Sequence, residues 1–125
     1  MFTILDRVDQ DYEFAAEEEN ADLMNDAIYR RNAAVEDRFG VSIETMPLAC
    51  AWGEQATAFN NTLRSSVMAG DGAYDLVAGY AATIPGLVSE GLFVNWRDLS
   101  YIDLSKPWWS GLLADDLTIN GKDYM

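Results

Sequence analysis

Apolar positions along the chain change their spacing several times, and each change marks an element. Phe2-Thr3-Ile4-Leu5 is a short β-prone run closed by Asp6-Arg7, which predicts a first strand. From Val8 to Ala21 the chain turns polar and acidic, with Asp9, Asp11, Glu13, Glu17, Glu18 and Glu19. This predicts a loop whose acidic triplet sits in the first turn of a helix, where the helix dipole favours negative charge. Met24, Ile28, Val35 and Phe39 recur on one helical face, and Gly40 supplies the stop. Val41 to Met46 alternates apolar and polar, predicting a second strand that Pro47 ends.

Ala56, Phe59, Leu63 and Val67 form the stripe of a second helix, closed by the Ala69-Gly70-Asp71-Gly72 turn. Tyr74 to Ala78 is more uniformly apolar, which predicts a buried third strand. Thr83 and Pro85 suit the N-cap and early positions of a short helix through Glu90, with Gly91 as its stop. Leu92-Phe93-Val94 leads into an aromatic-rich connection from Asn95 to Trp109. Leu117-Thr118-Ile119 followed by Asn120-Gly121 is a hairpin signal, because Asn-Gly suits a type I′ turn. The return arm, Lys122 to Met125, is shorter than the typical strand of about five to six residues. It reads as an interruption inside the hairpin; the alternative is a natural edge strand.

Strand, helix, strand, helix, strand, short helix is the order of an α/β fold with a parallel or mostly parallel sheet. Ligands of such sheets bind beyond the carboxyl ends of the strands. Here those ends are Asp6 to Asp11, Pro47 to Gly53 and Gly79 to Thr83.

Composition narrows the chemistry. A chain of 125 residues, half of them hydrophobic, has room for one domain and one core. Eight basic against 21 acidic residues leave a net charge of −13, which repels nucleic acid and anionic lipid. There is no histidine, so Ser-His-Asp and Cys-His nucleophile systems and histidine-ligated zinc are excluded. Cys50 is the only cysteine and can form no intrachain disulfide. No apolar run approaches the roughly 20 residues of a membrane span. Met1 to Leu5 has no signal-peptide pattern.

Several segments, in order, carry a resemblance. Asn25-Asp26-Ala27-Ile28-Tyr29-Arg30-Arg31-Asn32 and Val35-Glu36-Asp37-Arg38-Phe39-Gly40-Val41 resemble the first helix and second strand of bacterial extracellular solute-binding proteins of the family 1 type, which serve carbohydrate ABC transporters. Tyr74-Asp75-Leu76-Val77 resembles their third strand. Gly91-Leu92-Phe93-Val94-Asn95-Trp96-Arg97-Asp98-Leu99 resembles the segment after their third helix. Tyr101 to Trp109 is similar to a signature of a Gram-positive-rich subgroup, and Asn120-Gly121-Lys122-Asp123-Tyr124 to the family's G-K-x-Y hairpin.

The resemblance implies a periplasmic-binding-protein-like type II fold, with residues 1–125 as a partial N-terminal lobe and the hinge and second lobe absent. It implies reversible binding of a solute, a sugar or oligosaccharide, with no catalysis and no cofactor. Its partners would be the permease subunits of an ABC importer, not nucleic acid. Its place would be extracellular, as a membrane-anchored lipoprotein, or periplasmic. One lobe alone would bind weakly or not at all.

Sugars offer hydroxyls to carboxylates and amides, and C–H faces to aromatic rings. Tyr80 follows the third strand directly, where the family commonly places a ligand contact. Arg7, Asp9 and Asp11 follow the first strand, and Trp52 lies in the loop after the second. Trp109 is the sixth candidate. Each has a plainer alternative: solvated loop charges for Arg7, Asp9 and Asp11, and packing for Trp52, Tyr80 and Trp109.

Three other readings compete. A receiver-like signalling domain matches the alternation, yet Ala78-Gly79-Tyr80 stands where its phosphoacceptor Asp belongs. Asp6, Asp9, Asp11 and Glu13 are hard ligands suited to calcium, at a spacing that matches no EF-hand. A two-carboxylate hydrolase is allowed by residue type, but the sequence pairs no two particular acids.

Overall fold

The computed structural model describes residues 1–124, apart from the side chains of Leu113 and Ala114. It is an α/β chain with a three-stranded, wholly parallel sheet. Strands β1 (Phe2–Arg7), β2 (Ile43–Leu48) and β3 (Leu76–Val77) lie in the order β2-β1-β3. Four helices follow the sequence as α1 (Leu23–Phe39), α2 (Glu54–Ala69), α3 (Ile84–Val88) and α4 (Gly111–Asp116). Two compact units divide the chain, Met1–Ile84 and Pro85–Met125. Among the described residues no helix is long and apolar enough to cross a membrane.

In the first unit, β1 is the central strand, and its Thr3-Ile4-Leu5-Asp6 run is buried. The register pairs Phe2, Ile4 and Asp6 with Ile43, Thr45 and Pro47. Side chains alternate along a strand, so these share one face, and Thr3, Leu5 and Arg7 point to the other. Ala56, Phe59 and Leu63 of α2 are buried as their stripe predicts, while Val67, at the last turn, is exposed. Gly40 and Gly70 end α1 and α2, each at φ 65°, the left-handed conformation that costs glycine least.

Several boundaries differ from expectation, each for a local reason. β2 runs through Pro47 to Leu48. Ser42 and Leu48 carbonyls accept from Phe2 and Val8 amides at 2.7 and 3.0 Å, so even-numbered residues face β1 and odd ones face the open edge. Pro47 therefore needs no N–H there, and an edge strand tolerates it. β3 is two residues long, and Leu76 is exposed rather than buried. Its ladder is completed by Asp75, whose amide donates to the Thr3 carbonyl (2.9 Å) while its carboxylate accepts from the Thr3 amide (2.8 Å).

The acidic triplet precedes α1 instead of opening it. Asp22 is the N-cap, accepting from the amides of Met24 and Asn25 at 3.0 and 2.9 Å, and Glu19 pairs with Arg30. Of the predicted α1 stripe only Ile28 is buried; Met24 and Phe39 are 71% and 64% exposed. Polar bonds tie this helix down. Arg31 and Asn32 donate to the carbonyls of Glu13 and Phe14, and Glu36 accepts from the Ile43 amide at 2.7 Å. Thr83 is not a side-chain cap, since its hydroxyl donates back to the Tyr80 carbonyl at 3.1 Å.

In the second unit a 3-10 turn over Trp96–Asp98 meets the Asn120-Gly121 turn. Asn120 and Gly121 have φ 52° and 75°, and Ile119 and Lys122 exchange both backbone bonds, as a type I′ hairpin requires. Of the expected return arm, Met125 lies outside the described residues. Asp123 is buried and anchors the turn. Its backbone accepts from Trp96 N–H (2.7 Å) and donates to Asn95 Oδ1 (3.0 Å). Its carboxylate takes the Thr118 hydroxyl and the Arg97 guanidinium, which hold it below the usual carboxylate range.

Candidate functional site at the carboxyl edge of the sheet

Because all three strands run the same way, their carboxyl ends gather on one edge of the first unit. β1 delivers Arg7 there as its last residue. The guanidinium forks onto Asp9, with Nη2 2.6 Å from Oδ2 and Nε 3.2 Å from Oδ1. This contact holds the Asp9 carboxyl below its ordinary range. On its other side the guanidinium carbon lies 5.2 Å from the centroid of the Tyr80 ring, within cation–π range.

Tyr80 is carried by the turn after β3. Its carbonyl accepts from the amides of Thr83 and Ile84, which fixes the backbone as it swings into α3. Gly79 makes that turn possible, since a Cβ there would run into the Ile84 side chain. From the loop after β2 Trp52 meets Tyr80 edge-on, ring centroids 6.1 Å apart at 87°. Trp52 is 75% exposed. Gly53 follows at φ 89°, ψ −129°, a conformation close to glycine-only, and the chain enters α2 at once.

Asp9, Arg7, Tyr80 and Trp52 thus form a continuous row built by three loops. Beside it opens a cavity of about 240 Å³ lined by Trp52, Gly53, Ala56, Thr57, Asn60 and Thr83. Thr57 and Thr83 spend their hydroxyl protons on the carbonyls of Gly53 and Tyr80, so each offers the cavity acceptor lone pairs. Asn60 Oδ1 is buried with no donor. Sequence reasoning missed Thr57 and Asn60; the available signal was Asn60 standing beside Phe59 on an otherwise apolar stripe.

The other two candidates lie elsewhere. Trp109 belongs to the second unit, where it packs against Trp96 with centroids 5.4 Å apart. Asp11 opens a 3-10 turn over Asp11–Glu13, and its carboxyl faces Asp6. The sequence pairs no two acids by eye, and the structure pairs these. Burial first, then Asp11, push Asp6 up to about 6.

Aromatic rings, a cation, a carboxylate and hydroxyl acceptors suit a polar solute with C–H faces. Among the described residues no three Asp, Glu, His or Cys side chains gather to hold a metal ion. The four acids considered for calcium are divided, with Asp9 on Arg7 and Asp6 on Asp11. Asp6 is 0% exposed, whereas Asp11 is partly exposed. Cys50 is buried. Compared with protein-family models, with curated proteins and with solved structures, the chain matches none.

Proposed function

We propose that this chain is a solute-binding domain of the kind that serves carbohydrate ABC importers, and that the Asp9–Arg7–Tyr80–Trp52 row is its contact surface for a sugar. The row itself carries the reading: two aromatic side chains and an Arg–Asp pair share the carboxyl edge of a parallel sheet, where α/β folds bind small molecules. The adjoining cavity adds three oxygen acceptors for sugar hydroxyls, and its size suits a single ring. The ordered motifs from Asn25 to Tyr124 support the same family and, with it, an extracytoplasmic place and permease subunits as partners. No bond is made or broken, and no cofactor takes part. Closure of a second lobe over the solute would supply the remaining contacts, so affinity from this edge alone is weak.

The test is titration with a panel of mono- and oligosaccharides, read by tryptophan fluorescence and by saturation-transfer NMR. The expected result is saturable binding with Kd of about 1 mM or weaker, corresponding to roughly 4 kcal/mol, that Trp52→Ala and Tyr80→Ala abolish. Sugar binding unchanged by either substitution, or release of reducing sugar from a glycoside during incubation, would overturn the reading.

A further inference from the structure

Asp6 lies between Leu5 and Arg7 in the central strand, is wholly buried, and has no donor on either carboxyl oxygen. Asp11, five residues on, presents its carboxyl to Asp6, and its own Oδ1 is buried without a donor. Two carboxylates are acceptors only and cannot satisfy one another. Side by side and out of water, their charges also repel. One proton removes both difficulties, because it turns one oxygen into a donor and leaves a single charge to be bonded.

We propose that Asp6 and Asp11 share one proton, and that this acid–carboxylate pair latches the Asp11–Glu13 turn onto the end of β1, loosening the turn when the proton is lost.

Among the described residues no basic group acts on Asp6. Across the ladder its register partner on β2 is Pro47, and on the β3 side Ala78 donates to the Leu5 carbonyl; neither titrates. Arg7 points to the opposite face and is held by Asp9. Within the turn, Tyr12 donates its hydroxyl to Gln10, and Glu13 offers only another acid. From α1, Arg31 reaches the turn, yet its guanidinium bonds the carbonyls of Glu13 and Phe14 and the Asn32 side chain. Burial first, then Asp11, raise the pKa of Asp6 from 3.8 to about 6, against a smaller lowering by its own backbone.

The sign follows. The folded state holds this proton more tightly than the unfolded chain does. The latch is therefore complete below about pH 4, and its contribution is lost as pH rises through about 6. The backbone pairing of β1 with β2 and β3 uses neither carboxyl, so the turn loosens while the sheet stays folded.

A chain of net charge −13 has a general pH dependence, so the test compares variants. Asp6→Asn keeps the shape and supplies an amide donor to Asp11. Asp11→Asn repeats the comparison from the other side. Carboxyl carbons are titrated by NMR between about pH 5 and about pH 8, and amide exchange of Glu13, Phe14 and Ala15 is followed over the same range, corrected for intrinsic rates. The expected result is one aspartate titrating near 6, with exchange at the three amides rising about tenfold across that midpoint in the native chain and staying flat in both variants. The absence of any aspartate titrating above about pH 5, or an equal rise in exchange in the Asn variants, would overturn the latch.

Discussion

The guanidinium of Arg7 lies over the ring of Tyr80, 5.2 Å from its centroid, and couples the end of β1 to the turn after β3. Both contacts that Tyr80 makes along the row use its ring, edge-on to Trp52 and face-on to Arg7. Tyr80→Phe should therefore leave the near-UV circular dichroism of the aromatic pair largely intact, and Tyr80→Ala should remove it. Arg7→Ala should cost about 1 kcal/mol or less, since the ion pair with exposed Asp9 adds little beyond the cation–π contact. Arg7→Lys should not recover that stability in full on urea unfolding, because an ammonium cannot lie flat on the ring while forking onto a carboxylate.

Gly79→Ala should destabilise the first unit by about 1–3 kcal/mol, the usual cost of overpacking. The added methyl would meet the Ile84 side chain and approach Phe59 Cε1 to 3.2 Å, and both residues are buried. Urea unfolding measures this directly. A midpoint equal to that of the native chain would show that Ile84 can move aside.

Gly121→Ala should weaken the hairpin by about 1 kcal/mol, because a side chain resists φ 75°. Hydrogen exchange at the amides of Ile119 and Lys122, which bond each other's carbonyls, should quicken several-fold. The first unit's amides should keep their native rates, since Gly121 belongs to the second.

Much of the fold was written in local signals. The β-α-β-α-β order, the stops at Gly40 and Gly70, and the Asn120-Gly121 turn each follow from a few neighbouring residues, and each is found. What escaped depends on position in the sheet. Pro47 reads as a strand end, yet on an edge strand its missing N–H costs nothing. Tyr74 to Ala78 reads as a full strand, yet Asp75 substitutes its own carboxylate for part of the ladder. The Met24–Phe39 stripe reads as a core face, whereas hydrogen bonds from Arg31, Asn32 and Glu36 decide where α1 lies.

The candidate site divides the same way. Arg7, Asp9, Trp52 and Tyr80 were legible because a parallel sheet forces its strand ends together. Asn60 was legible only as a polar residue on the apolar stripe of α2; that its amide oxygen is buried without a donor shows only once the helix is packed. The meeting of Asp6 and Asp11 was hidden too, because a strand end and the following turn come face to face only in the folded chain.

Pro47 also sets a direction. The outward side of β2 presents an imide without a hydrogen at 47 and an amide already taken by Glu36 at 43, so an approaching strand finds little to dock against. On the far side, alternation turns the Val77 amide and carbonyl away from β1. Addition of a strand at the β2 flank is thus hindered at two of its three outward positions, 43 and 47, with Thr45 between them.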